Sequence, residues 1–259
     1  MNPRNPDACA FVVDPSSKRV FEITATVLTN QITRDAERIA KSFDDLKGEH
    51  VKEISKLFAH SFGVLTSGMI SASREEDELK LTCGQLLSNS LNSVASCAYL
   101  VRGGFVLQPG VIIRSCIETI AVVLHLLQFQ DDLKTYRDNK FDSTRAISSA
   151  KNVFPPYGKM YGFLSKEFTH IGALHRQLTP IREYSRGDEH LDLNMQLIAS
   201  AAWMCYVACE LAFLDVVATP RYWSEASGPA PGVSAYTYNP SAEELVWMGW
   251  FLNLDEPLE

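Results

Sequence analysis

The stretch Val111–Leu127, "VIIRSCIETIAVVLHLL", is apolar at most positions and predicts a helix inside a protein core. It also carries Arg114, Glu118 and His125, residue types that cost much free energy to bury. At 100° per residue these three side chains and Gln128 share one stripe, while aliphatic residues cover the remaining face. An apolar helix of this kind needs other helices around it, so the stretch predicts an all-α fold.

Helical periodicity continues on the N-terminal side of this stretch. Three segments predict helices: Asn30 to about Leu46, ended by Gly48; residues 49–70; and residues 75–102, ended by Gly103 and Gly104. Pro109 suits the first turn of the helix that contains the quoted stretch, and that helix is expected to run to about Gln130.

The C-terminal side predicts short helices, then a helix that begins behind Pro155 and Pro156. The longest helix is expected from Asp188 to about Ala218, and its centre is apolar all round, as in a helix surrounded by others. Residues 199–218 are long enough to span a membrane. Acidic residues interrupt them and no basic flank follows, so we interpret them as a core helix.

The two ends of the chain differ from this pattern. Residues 1–29 predict an irregular segment or a short hairpin around "DPSS", and residues 219–259 predict a Pro/Gly-rich connector and a short helix. A capping box, Ser241 with Glu244, opens that helix. Its aromatic residues are expected to dock onto the protein's own helices, with docking onto a partner as the alternative. Residues 30–218 then form an up-and-down bundle of four or five long helices.

Composition narrows the functional classes. Of the 259 residues, 46% are hydrophobic and 21% charged, which is typical of a globular protein. The formal net charge of −7 gives no overall positive field toward nucleic acid or an anionic membrane, although a local basic groove is compatible with it. The start, "MNPRNPDACA", lacks the apolar run of a signal peptide, so we expect a cytoplasmic protein that does not associate with membranes.

The six cysteines are scattered, mostly within apolar helical segments, where a thiol behaves as a small hydrophobic group. Cys205 and Cys209 are one helical turn apart, but no second pair completes a tetrahedral metal site. We therefore expect reduced thiols that pack in the core, and neither a metal nor a cofactor.

Arg114 and Glu118 are one turn apart and can form an ion pair, whereas His125 lies about 10 Å farther along the helix axis. We expect the pair to be largely buried. One interpretation is a structural ion pair that sets helix register, with His125 nearer the surface. The other is a polar cleft between helices in which a fixed partner tunes these groups for binding or catalysis.

A second polar cluster lies in "YGFLSKEFTHIGALH". Lys166, Glu167 and His170 fall within about one helical turn of each other, and Ser165 precedes them. His170 and His175 point about 140° apart on a helix, so they are not a two-histidine metal pair. A histidine satisfied at a helix end is the simpler interpretation of His170.

Together, "LVRGGFVLQPGVIIRSCIETIAVVLHLL" and "YGFLSKEFTHIG" resemble the two-helix signature of uncharacterised bacterial helical proteins similar to the HEPN class, the higher-eukaryote and prokaryote nucleotide-binding domains. The matching motifs are R-S-x-x-E, here Arg114, Ser115 and Glu118, and L-S-x-x-x-x-H, here Leu164, Ser165 and His170. The resemblance covers residues 80–215. It implies a helical bundle, often homodimeric, linked to phage defence, toxin–antitoxin systems or RNA processing.

The best-known activity of the HEPN class is metal-independent RNA cleavage, which uses an arginine separated from a histidine by four to six residues. No histidine of this chain has an arginine at that spacing, and Lys166 is a poor substitute for a guanidinium that clamps phosphate. The ribonuclease motif is therefore not intact.

Two hypotheses follow. In the first, a HEPN-like cleft binds a nucleotide, RNA or a protein partner: Arg114 contacts phosphate, Glu118 orients Arg114 or His170, Lys166 and Ser165 bind ligand, and His170 is the acid or base of any catalysis. In the second, the protein is a non-enzymatic interaction protein whose polar stripe is structural. We also expect a homodimer, because a bundle of this class offers more apolar helix faces than one core needs.

Overall fold

The computed structural model describes residues 7–177, 179–226 and 235–252, and within them the chain is mostly helical. The α-helices are α1 (Val27–Ile32), α2 (Ala36–Arg74), α3 (Glu78–Arg102), α4 (Gln108–Gln128), α5 (Asp132–Arg137), α6 (Ser143–Val153), α7 (Pro156–Leu164), α8 (Glu189–Ala212) and α9 (Ala242–Phe251). A π-helical turn, Ser165–Thr169, extends α7, and short 3₁₀ turns occupy Leu174–Arg176 and Leu214–Val216. Two antiparallel hairpins pair β1 (Ala8–Asp14) with β2 (Arg19–Thr24), and β3 (Trp223–Ala226) with β4 (Ala235–Tyr238).

Helix α2 passes through Gly48, so the predicted break between two helices there is wrong. Gly48 faces open space, and a glycine in such a place costs a helix only about 1 kcal/mol relative to alanine. The apolar stripe continues past it with an unchanged helical period, and burial of that stripe outweighs the local cost. The buried apolar residues of α2 include Ile39, Phe43, Ile54, Leu57 and Leu65.

The core lies between α2, α3, α4 and α8. Helix α3 packs against the other three, α8 also contacts α2 and α4, and α6 and α7 cover the outer side of α4. Asp77 caps α3 by accepting the Lys80 backbone N–H, and Gly104, with φ of +89°, follows its end as predicted.

Helix α8 ends at Ala212, six residues earlier than predicted, and α2 rather than α8 is the longest helix. All residues from Ala201 to Glu210 are buried, in agreement with the predicted surrounded helix. Helices α4 and α8 both have the length and hydropathy of a membrane-spanning segment, but 61% and 83% of their apolar windows are buried within the fold. Burial in a protein core accounts for the same apolar composition.

The structure has one hairpin in each of the two terminal segments, and only the first was predicted. The N-terminal hairpin around "DPSS" is confirmed, and Asp14 holds its turn by accepting hydrogen bonds from Ser16 and Ser17. The second hairpin lies in the segment predicted as a plain connector; its strands are only four residues long, too short for an alternating pattern to be recognised. Residues 227–234 of that connector lie outside the described residues.

The C-terminal helix α9 docks onto the protein's own core. The Ser241 hydroxyl oxygen accepts the Glu244 backbone N–H, which confirms the predicted cap. Phe251 is buried and Trp247 packs against the core, whereas Trp250 is 60% exposed. The Glu244 side chain does not return to the cap but binds Arg221, which ties α9 to the turn before β3.

Candidate functional site

The candidate site lies where α4 meets α7, around Arg114. The Arg114 Nη2 and Glu118 Oε1 atoms are 3.0 Å apart, so the predicted pairing is confirmed. The two side chains are 24% and 28% exposed, so most of each is covered, as expected, although neither is fully buried. The quoted helix presents its polar stripe at the edge of the core, where α7 covers it only in part.

Helix α7 supplies further contacts to Arg114. The Arg114 Nε donates to Ser165 Oγ at 3.2 Å, and Nη2 donates to Tyr161 Oη at 3.0 Å. The guanidinium carbon lies 5.2 Å from the centre of the Tyr161 ring, within range of a cation–π contact. The Nη1 atom has no hydrogen-bond partner among the residues that the structure describes. Its two N–H groups are therefore available to an acceptor from outside.

Tyr157 adds a buried hydroxyl to the same cluster. Its ring stacks on that of Tyr161 with centroids 5.9 Å apart, and its side chain is fully buried. Burial, and then the neighbouring Tyr161 and Glu118, raise the pKa of Tyr157, while Arg114 acts in the opposite direction. Within the described part of the chain its hydroxyl has no hydrogen-bond partner, a state that costs about 1–3 kcal/mol. The hydroxyl is closed off from solvent, so Tyr157 contributes to the packing of the cluster and not to a surface that a ligand could reach.

A glycine allows the close approach that builds this site. A Cβ atom at Gly110, in the first turn of α4, would overlap the ring of Phe168 in the π-helical turn. With glycine there, the turn packs directly against α4, and Ser165 reaches Arg114. A π-helical turn inside or beside an α-helix often accompanies a functional site.

The remaining residues of the second predicted cluster lie at the surface of that turn. Lys166 is 83% exposed and its Nζ is 3.2 Å from Glu167 Oε1. His170 follows the turn with extended backbone and is exposed. The described residues give its ring no hydrogen bond or ion pair. The structure therefore joins Ser165 to Arg114 and Glu118, and leaves Lys166 and His170 without a hydrogen bond or ion pair to Arg114.

His125 is fully buried, so the expectation that it lies nearer the surface is wrong. Its Nδ1 is 2.8 Å from Ser149 Oγ and its Nε2 is 2.8 Å from Asp132 Oδ2, and Arg145 also contacts that carboxylate at 3.1 Å. Serine, histidine and aspartate also make up hydrolase triads. Here the His125 ring is fully buried, so a substrate cannot reach it. The three side chains therefore have a structural role, which is to link α4 to α5 and α6. These two helices supply the polar side chains that cover the C-terminal end of α4.

The cysteines agree with the packing interpretation. Cys9 is exposed and the other five are buried. Burial raises the pKa of Cys83, Cys97 and Cys209 to about 12, which keeps these thiols protonated. Among the described residues no group of three or more histidine, cysteine or acidic side chains has the arrangement of a metal site.

Sequence reasoning did not identify Tyr157, Tyr161 or Gly110 as parts of the site. The two tyrosines are four residues apart in "PPYGKMYG", a spacing that puts both on one helix face, and this was the available signal. Gly110 gave no signal, because its role depends on a ring 58 residues away in the chain.

No protein family, curated protein or solved structure matches this chain. What this site can bind is therefore inferred from the side chains of this chain alone.

Proposed function

We propose that this protein binds single-stranded RNA and that the Arg114 cluster contacts a backbone phosphate. One observation carries the proposal: the partly exposed Arg114 guanidinium is held at Nε and Nη2 by two hydroxyls and one carboxylate oxygen, and its Nη1 group has no hydrogen-bond partner among the described residues. A phosphate oxygen is a strong acceptor for such guanidinium N–H groups. Ser165 and Tyr161 hold the guanidinium in place before the ligand arrives.

The surroundings favour an extended polyanion over a small anion. The Lys151 Nζ lies 5.7 Å from the Tyr161 ring centre, and the exposed Lys166 lies on the adjoining turn. Positive charge beside a partly exposed aromatic ring, here Tyr161, is a common means of binding single-stranded nucleic acid.

We propose that α2, α3, α4 and α8 form the up-and-down bundle implied by the HEPN resemblance, in a cytoplasmic protein of bacterial defence or a toxin–antitoxin system. The protein binds RNA without cleaving it, because the arginine-to-histidine spacing is missing and His170 has no partner among the described residues that would tune it as an acid or base.

The second candidate is an interaction protein in which the Arg114 pair is structural. Glu118 favours it, since its carboxylate already offsets the charge of Arg114. The two candidates differ in whether Arg114 is needed for RNA affinity.

The test is fluorescence anisotropy of a labelled single-stranded RNA of mixed sequence, titrated at low salt with the wild type and Arg114→Gln. We expect the variant to bind about tenfold or more weakly, since about 1.4 kcal/mol of a charged phosphate contact corresponds to that factor. Arg102→Gln is the matched control, because Arg102 is a surface arginine already paired with Asp44. Absence of binding by the wild type, or equal loss in both variants, would contradict the proposal.

A further inference from the structure

A cavity of about 290 Å³ lies between α2 and α9. Two aromatic residues of α9, Trp250 and Phe251, line it together with Glu49, His50 and Glu53 of α2. Sites for small molecules in proteins occupy about 300–1,000 Å³, so this cavity is at the lower end of that range. Its lining combines carboxylates with aromatic rings, and it shares no residue with the Arg114 cluster.

The two tryptophans of α9 differ in their contact with a cation. The guanidinium carbon of Arg221 lies 5.0 Å from the centre of the Trp247 ring, and Trp247 also stacks on Phe251. Trp250 is 60% exposed, and within the described residues no arginine or lysine lies over its ring. A tryptophan ring is the aromatic surface that attracts a cation most strongly. The Trp250 ring is therefore open to a cation that the described chain does not itself supply.

Glu49 and Glu53 lie one turn apart on α2 and bring negative charge to the cavity. The Nζ atoms of Lys52 and Lys56 lie 2.6 Å and 2.7 Å from one oxygen, Oε1, of the Glu49 and Glu53 carboxylates, respectively. Among the described residues the other oxygen of each carboxylate, Oε2, has no hydrogen bond. The two lysines are 68% exposed, and exposed ion pairs of this kind are weak. Both carboxylates therefore retain an acceptor for a cationic ligand.

His50 does not add positive charge to this lining at neutral pH. Burial, and then the nearby Lys47, lower the pKa of the His50 ring, while Asp192 acts in the opposite direction. The ordinary pKa of a histidine is about 6.5, so a lowered pKa leaves the ring uncharged at pH 7. The charge of the residues that line the cavity is therefore negative.

We propose that this cavity binds a small organic cation with a methylated ammonium group, which lies on the Trp250 ring and beside Glu49 and Glu53. The carboxylates match the charge of the ligand, and the indole ring attracts a methylated ammonium group through its π-face, as aromatic cages for choline and methyl-lysine do. A divalent metal ion is disfavoured, because the described residues form no group of three or more ligands that could hold one. The proposal is independent of RNA binding at Arg114.

The test is isothermal titration calorimetry of the purified full chain with choline and with its neutral analogue, in which a carbon atom replaces the charged nitrogen. The two ligands have the same shape, so their difference measures the contribution of the charge. The variants are Trp250→Ala, which removes the ring, and the double variant Glu49→Gln/Glu53→Gln, which removes both carboxylate charges. Val246→Ala is the matched control, since Val246 is 74% exposed on α9, one turn before Trp250, and is not among the residues that line the cavity.

We expect choline to bind the wild type and Val246→Ala equally, and the neutral analogue to bind the wild type about tenfold or more weakly. Trp250→Ala and the double variant should each bind choline about tenfold or more weakly, with helical circular dichroism unchanged. A short peptide with one trimethyllysine is titrated in parallel, and the tighter of the two ligands identifies whether a free molecule or a modified protein supplies the ammonium group.

Absence of binding of both choline and the peptide by the wild type would overturn the proposal. Equal affinity for choline and its neutral analogue would also overturn it, as would a Trp250→Ala variant that binds choline like the wild type. An equal loss in Val246→Ala and Trp250→Ala would overturn the assignment to the Trp250 ring.

Discussion

Arg114 and Arg221 have similar surroundings, yet their hydrogen bonds differ. Each lies over a tyrosine ring and is paired with a glutamate, and the side chains are 24% and 26% exposed. Arg221 donates from Nε and Nη2 to the two carboxylate oxygens of Glu244, both at 2.7 Å. The same two nitrogens of Arg114 have three different partners: Nε donates to the Ser165 hydroxyl, and Nη2 contacts the Tyr161 hydroxyl and one carboxylate oxygen of Glu118.

The surroundings of Arg221 complete its structural role. Its guanidinium carbon lies 5.0 Å from the Trp247 ring centre, and its backbone N–H donates to the buried Glu210. Burial acts to lower the pKa of Arg221, but the hydrogen bonds to Glu244, together with the electrostatic effects of Tyr222, Glu244 and Tyr206, outweigh it and the pKa is raised. Exposure alone would not separate the two arginines. Neither Nη1 group has a hydrogen bond among the described residues, so the two arginines differ in their carboxylate: Glu244 engages Arg221 with both oxygens, whereas Glu118 approaches Arg114 through Oε1, which leaves more of the Arg114 charge for a ligand to neutralise.

The largest loss of stability is expected when Glu210 is replaced, because this buried residue holds the segment that contains Arg221. Its Oε1 accepts the backbone N–H groups of Arg221, Tyr222 and Trp223. Glu210→Ala leaves these donors unpaired and opens a cavity, so we expect the free energy of unfolding to fall by about 4 kcal/mol. Glu210→Gln retains the acceptor oxygen and should cost much less. Equal losses in chemical denaturation would show that the three hydrogen bonds contribute little.

Exchange of the arginines themselves should give opposite results in two assays. Arg221→Gln strands Glu244 in a largely covered site, and we expect a loss of about 3 kcal/mol in urea unfolding with RNA affinity unchanged. Arg114→Gln removes a partly exposed ion pair, which contributes about 1 kcal/mol or less, but it should weaken RNA binding. If Arg114→Gln is the more destabilising variant, Arg114 is structural and the comparison fails.

Gly110 tests whether the site depends on close approach. In Gly110→Ala the new methyl group meets the Phe168 ring, so we expect a loss of about 2 kcal/mol and weaker RNA binding, although no polar group is removed. Gly63→Ala is the control: Gly63 lies in helix α2 with nothing within 4 Å of the position that a Cβ atom would take, and alanine there should stabilise by up to about 1 kcal/mol. Unchanged RNA affinity in Gly110→Ala would show that the position of Ser165 does not matter.

The smallest expected effect concerns catalysis. Incubated with single-stranded RNA in a buffer with chelator, the wild type should leave it intact, and His170→Ala and His125→Ala should behave identically. Electrophoresis of the products measures this. Cleavage by the wild type that disappears in His170→Ala but persists in His125→Ala would make His170 catalytic and refute binding without chemistry.

The sequence predicted those parts of the fold that depend on local pattern. The helical class, the N-terminal hairpin, the ends of α3 and the cap of α9 all follow from periodicity or from turn and capping residues. The predicted helix break at Gly48 is wrong because glycine costs a helix only about 1 kcal/mol, and burial of the apolar side chains on both sides of Gly48 contributes more. The β3–β4 hairpin was missed because long-range aromatic packing stabilises its short strands.

In the candidate site, too, local spacing predicted some contacts, and others depend on tertiary packing. Arg114 and Glu118 were predicted to pair because they are one helical turn apart. Their contacts with α7, and the bond of Arg221 to Glu244 across 23 residues, depend on tertiary packing that spacing does not reveal. His125 was misplaced because α5 and α6 supply partners that the isolated helix lacks.

The most direct test of the central claim is a crystal structure of the protein with a short single-stranded RNA. The account predicts a phosphate oxygen within hydrogen-bonding distance of Arg114 Nη1, with the Arg221–Glu244 pair unchanged from its free geometry. RNA bound elsewhere, with the Arg114 cluster still unoccupied, would contradict it.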